Sequence, residues 1–271
     1  MFKNITFYQY TGDTPTHEQL MQKPLRDPSI GEVESFGFIS ADERSFTFGI
    51  NTKVVPPKAL KKKVAQLASQ EAIRTGKKIN KYRIQEIKEA AFAQMLETAF
   101  VNPTEVRGYF DADRSFLVVD TASVKVCEKI IDCIRVSMGS FDAEPVGTVE
   151  SVQNVLAMAL IGKNELDSSL EITDNVALYN LSTPGQRVCV SYHPMDDDVL
   201  QHVRNGMGVQ SISMTLNGMT FVLSNNLQVK SIKFSDICFG EDERDVDGDW
   251  LIMKASFARL FEALDNSFTF L

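Results

Sequence analysis

The sequence predicts an α+β fold: mixed sheets with packed helices and a protruding Lys-rich helical hairpin. Three observations predict it. Alternating apolar runs and helical-period runs follow one another outside a strict strand–helix–strand rhythm. Two helical-period segments, 58–74 and 81–101, stand side by side, joined by about six residues. Residues 209–235 form a meander whose first turn, Asn217-Gly218, is a strong type I′ hairpin signal.

Residues 2–10 alternate and read as a strand. Residues 34–55 read as two strands around the turn-like ADER. Pro56-Pro57 stops the sheet and opens a helix, because proline fits a first helical turn. Leu60, Val64 and Leu67 stripe that helix, and Gly76 suits its C-terminal cap. Asn80 suits the N-cap of the next helix, 81–101. Ile84, Ile87 and Ala91 mark one apolar stripe of that helix; Phe92, Leu96 and Phe100 mark another. Residues 106–120 read as a hairpin turning at DADR. An amphipathic helix follows at 123–138, ended by Gly139, and then a helix at 148–161. Residues 168–192 are strand-rich and 196–204 form a short helix. Asn225-Asn226 marks the second turn of the meander, an acidic loop GEDERDVDGD follows, and a last helix covers 253–264. Three regions are expected: 1–55 with 103–147 as a central sheet and helix domain, 56–102 as the helical hairpin, and 148–271 as a C-terminal α+β region.

Charge is unevenly placed. The 271-residue chain carries 28 basic and 36 acidic residues, a net charge of −8. Residues 52–88 nevertheless hold 11 Lys or Arg against two Glu, Glu71 and Glu86. A Lys-rich helix is ordinarily a solvated face. Here Lys61-Lys62-Lys63 advance about 100° each around the helix rather than pairing with Glu one turn on. Lys77, Lys78, Lys81 and Arg83 repeat the pattern across the connection. Such a field attracts phosphates, and lysine contacts position a backbone without reading bases. The candidate DNA contacts are Lys58, Lys61, Lys62, Lys63, Arg74, Lys77, Lys78, Lys81 and Arg83. Lys230 and Lys233 are weaker ones, since regular strand alternation puts them on opposite faces.

Other chemistry finds little support. Glu243, Asp245, Asp247 and Gly248 mimic the start of a calcium loop, but its twelfth position is Lys254, where a bidentate Glu is needed. Asp196, Asp197 and Asp198 suit a helix N-terminus. Cys127, Cys133, Cys189 and Cys238 lack metal-ligand spacing and read as small buried thiols, and no His pair has zinc spacing. Nucleophile-elbow, phosphate-loop and dinucleotide fingerprints are missing. No catalytic residue, metal or cofactor is assigned. No leader is read at the N-terminus, and the longest apolar run, 155–161, is far below the roughly 20 residues of a membrane span. The second helix carries more apolar surface than one stripe buries. Phe92, Leu96 and Phe100 therefore belong to a subunit interface or to an intramolecular core against the sheet.

The chain also resembles the RdgC family of recombination-associated bacterial proteins. The resemblance is carried by FKNITFYQY, by VVPPKALKKKVAQLASQEAIRTGKKINKYRIQEIKEAAFAQMLETAF, by YFDADRSFLVVDTASVKVCEKIIDCIRVSMGS, and by VKSIKFSDICFGEDERDVDGDWLIMKASFARLFEAL. It spans most of the chain and rests on the order and spacing of these segments. It implies a ring-forming homodimer that binds double-stranded DNA without strong sequence preference and restrains a RecA-type recombinase. It implies a subunit contact at Phe100 and a second, ring-closing contact at Ser191 and Tyr192, where members often carry Lys and Gln. Gly37-Phe38 replaces the family's Gly-Trp-x-Pro-type motif. The expectation is a cytoplasmic, nucleoid-associated protein. A metal-dependent exonuclease, after an old family label, and a protein-interaction module that touches no DNA are the alternatives.

Overall fold

The computed structural model describes residues 1–43, 45–183, 185–235 and 246–268. In chain order its elements are β1 (Thr6–Thr11), α1 (His17–Leu20), β2 (Glu34–Ala41), β3 (Phe46–Val54), α2 (Pro57–Thr75), α3 (Lys81–Glu97), β4 (Phe100–Asp111) and β5 (Phe116–Val119). Then come α4 (Val124–Met138), β6 (Asp142–Pro145), α5 (Val149–Leu160), β7 (Leu170–Asn180), β8 (Arg187–Val190), α6 (Asp197–Arg204), β9 (Met207–Leu216), β10 (Met219–Ser224), β11 (Val229–Phe234) and α7 (Val246–Phe268). The fold is α+β with antiparallel sheets. The chain divides into two compact units: residues 1–14, 108–131 and 141–271 form the first, and 15–107 with 132–140 the second.

In the first unit β1 pairs antiparallel with β5 on one side and β6 on the other. A five-stranded sheet, ordered β11-β10-β9-β7-β8, supplies the larger surface. Its inward residues, among them Leu178, Ile212, Met214, Phe221 and Leu223, are buried with Val152 and Leu156 of α5 and Phe257, Leu260 and Phe261 of α7. Phe261 lies 4.9 Å from the Phe7 ring and 5.3 Å from Phe116, so α7 closes over aromatic residues of β1 and β5. Thr148 caps α5 through a reciprocal box with Ser151, and Asp196 caps α6 by accepting from the Val199 N–H. Asn217 and Gly218 take φ of 45° and 81°, as the expected hairpin turn requires.

In the second unit β2 and β3 form the hairpin expected around ADER. Gly37 is needed there, because a Cβ would stand 2.6 Å from the carbonyl oxygens of Lys23 and Pro24, where residues 23–25 hydrogen-bond to Phe38. α2 and α3 pack against each other.

Three expectations need correction. The second helix of the pair ends at Glu97, and Phe100 opens β4 instead of closing a helical stripe. Val101 favours extended backbone, and Pro103 forces it on Asn102, so helical geometry cannot run on. The last helix starts at Val246, seven residues early, so the end of the acidic segment is helical. The rest of that segment, with Glu243 and Asp245, lies outside the described residues, as does Cys238 before it. Cys127 and Cys133 are buried, but Cys189 is exposed on β8, a sheet-edge strand that has one neighbour. Burial pushes both the Cys127 and the Cys133 thiol up to about 11, so neither is a thiolate at neutral pH. No helix among the described residues is long and apolar enough to cross a membrane.

Candidate nucleic-acid interface

α2 begins with proline in its first turn and carries no acid there. Lys58 sits in that turn, so its charge adds to the positive end of the helix dipole. Over 19 residues the helix buries no side chain, and Leu60, Val64 and Leu67 are only half-buried. Its C-terminus is closed by Gly76, whose φ of 64° is left-handed and whose N–H donates to the Ala72 carbonyl at 2.9 Å. Asn80 then caps α3, its side-chain oxygen accepting from the Arg83 N–H at 2.8 Å. Both ends of the connection are thus fixed by local hydrogen bonds.

An ion cluster ties the two helices together at this end. Arg83 Nε donates to Glu71 Oε1 at 2.7 Å and Nη2 to Oε2 at 3.1 Å, while Nη1 reaches Glu86 Oε2 at 2.7 Å. The hydrogen bonds from Arg83 hold the Glu71 carboxyl below its ordinary value, and those same bonds push the guanidinium further up. Arg83, expected to meet phosphate, is therefore already bound to two carboxylates. The clasp also consumes Glu71, the one acid between residues 57 and 82. Eight cations share that stretch: Lys58, Lys61, Lys62, Lys63, Arg74, Lys77, Lys78 and Lys81. All are exposed except the half-buried Lys63, and none forms an ion pair among the described residues.

The second helix differs. From Arg83 to its end, α3 holds Arg83 and Lys88 against Glu86, Glu89 and Glu97. The positive surface is one-sided, on α2 and the turn. At the other end of the pair, an open cleft of about 530 Å³ is lined by Ala59, Lys62, Lys63 and Gln66 from α2 and by Gln94, Met95, Glu97 and Thr98. Lys88 is exposed as well, and its place in the charged window was the signal that could have found it. Gln66 and Gln94 had no such signal.

Lys230 and Lys233 lie on the same face of β11, not on opposite faces. Lys230 pairs with Val222 and Lys233 with Thr220, and those two partners, two residues apart on β10, point the same way. A bulge inserts the extra residue, with Ser231 at a φ of 53°. Lys233 is exposed and Lys230 half-buried.

The interface candidates separate. Leu96 is buried, at 2% exposure. Phe92 is half-buried. Phe100 is 88% exposed, and every residue from it to Glu105 is exposed. In the other unit Ser191 is exposed and Tyr192 is 92% exposed at a φ of 56°, its N–H held by Asn175 Oδ1 at 3.1 Å. Among the described residues no cluster of three or more His, Cys, Asp or Glu is placed to hold a metal ion.

The chain matches known proteins along nearly its whole length. A family profile described as "Putative exonuclease, RdgC" matches residues 1–270. The "Recombination-associated protein RdgC" of Xanthomonas campestris pv. campestris (strain B100) is 25% identical over 297 residues, covering 98% of this chain and 97% of that protein. The protein of the same name from Xylella fastidiosa (strain 9a5c) is 23% identical over 291 residues, covering 97% and 96%. With the profile running almost end to end, this chain belongs to the RdgC family.

Proposed function

We propose that this protein binds double-stranded DNA without reading its sequence, and that it does so as a homodimer that encircles or coats the duplex. The carrying observation is the stretch 57–82: eight cations, none ion-paired among the described residues, and a lone acid held by Arg83. Lysines on a solvent-facing helix neutralise phosphates and release counterions, which gives affinity without base discrimination. Lys230 and Lys233, on one face, add a second pair of contacts. Two exposed aromatic residues, Phe100 and Tyr192, support two separate self-complementary contacts, and two such contacts close a dimer into a ring. A ring holds DNA topologically, so modest contacts give long residence. A coated or encircled duplex is a poorer substrate for a RecA-type filament, which uses the same backbone; limiting that access fits the "recombination-associated" name of the relatives. The expected location is the cytoplasm, on the nucleoid.

Gel retardation of closed-circular and linear duplex across a salt series, with solution mass measured alongside, tests this reading. Retardation of both at low salt, retention of circles at salt that releases linear DNA, and a dimer mass are expected. Failure to retard any DNA at low salt identifies an interaction module instead. The exonuclease of the family description is tested in the same tubes: release of end label with Mg²⁺ or Mn²⁺ reveals it.

A further inference from the structure

We infer that the turn joining α2 to α3 is a base-contacting tip, with Ile73 and Tyr82 meeting the unstacked face of a nucleobase while neighbouring cations hold the flanking phosphates. The inference rests on the DNA-binding reading and deepens it. Ile73 is 84% exposed and Tyr82 85% exposed, both at the turn end of the helix pair. Single exposed apolar residues need no explanation. These two differ, because Arg74 follows Ile73 directly and Lys81 precedes Tyr82 directly, with Lys77 and Lys78 in the turn between. The flanking charge selects a polyanion as the occupant.

The tip is also preorganised. The Gly76 and Asn80 caps close both helix ends, and Arg83, next to Tyr82, is clamped by two carboxylates. Side chains displayed on a fixed turn lose little entropy on docking. Isoleucine is a wedge that architectural proteins insert between base steps, kinking the duplex by about 20–90°. Tyrosine supplies a platform on which an already unstacked base can sit. The common ligand is an exposed base face, made by opening a duplex step or found ready in a single strand.

The experiment uses the full chain with 2-aminopurine placed in a duplex and in a single strand. Binding should raise fluorescence in the duplex if a step is wedged open, or quench it in the single strand if Tyr82 stacks on the base. The Ile73→Ala/Tyr82→Ala variant should lose the signal and bind about fivefold or more weaker, with its salt slope kept. Tyr82→Phe should keep the signal. Thermal melts by circular dichroism check that both variants stay folded. Salt-sensitive binding with no fluorescence change in the unsubstituted protein, or an equal change in the double variant, overturns the tip alone. A protein that binds no DNA overturns the tip and the proposed function together. Tip-dependent sedimentation with phosphatidylserine vesicles and no 2-aminopurine signal replaces the base with a lipid surface.

Discussion

α7 and α2 are the two longest helices described, at 23 and 19 residues, and they are held in place by different physics. α7 buries Met253, Phe257, Leu260, Phe261, Ala263, Leu264 and Phe268, each at 2% exposure or less. α2 buries nothing. Its place is set by a half-buried stripe, a glycine cap and an ion clasp on the neighbouring helix. A helix positioned by its core has its sequence dictated by neighbours inside the protein. A helix positioned by its ends keeps its surface for something outside. Function is to be sought on the second kind of helix: the cations of α2 form no ion pair among the described residues.

Side-chain truncations separate the two helices, and the greatest loss is expected in α7. Phe257→Ala should cost about 3–5 kcal/mol in equilibrium denaturation, through lost burial and a cavity in a closed core. Leu67→Ala on α2, half-buried at the start, should cost less than about 2 kcal/mol. Equal costs for the two would erase the distinction. Next is Phe100→Ser. Its exposure predicts monomer stability unchanged within about 0.5 kcal/mol. Sedimentation equilibrium should show dimers weakened tenfold or more, about 1.4 kcal/mol. Global unfolding would instead make Phe100 a core residue.

The smallest effect is the clasp. Glu71 carries a folded-state pKa below its ordinary 4.5, so the Arg83 bond contributes fully above 4.5 and is lost as pH falls through the lowered value. Far-ultraviolet circular dichroism should show a small helical loss on acidification that Glu71→Gln already has at neutral pH. High salt should shrink it further, because the pair faces water.

Much of this contrast was legible in the residues. Pro56-Pro57, Gly76, Asn80, Thr148 and Asn217-Gly218 act through local sterics and side-chain hydrogen bonds, and each sits where that chemistry requires. What escaped depends on long-range partners. Phe92, Leu96 and Phe100 keep helical spacing, yet Phe100 opens β4, whose pairing with β5 comes eight and more residues later, at Gly108–Asp111, beyond the reach of any local pattern. The bulge at Ser231 inverts the alternation of Lys230 and Lys233, and nothing in VKSIKF signals it. β6 and α1 are four residues each, too short for periodicity to show, although the Thr16–Gln19 capping box is readable. Within the site, the charge window was plain from composition, but the diversion of Arg83 into an ion pair needed Glu71 to be brought across from the other helix.

α2 and its turn are proposed to grip DNA through phosphates. The most direct test is the slope of log affinity against log salt for a duplex, comparing the unsubstituted protein with Lys61→Glu/Lys62→Glu/Lys63→Glu. At about 0.9 per phosphate neutralised, a steep negative slope is expected that flattens by roughly 2 to 3 in the variant. An identical slope in both proteins would contradict that grip.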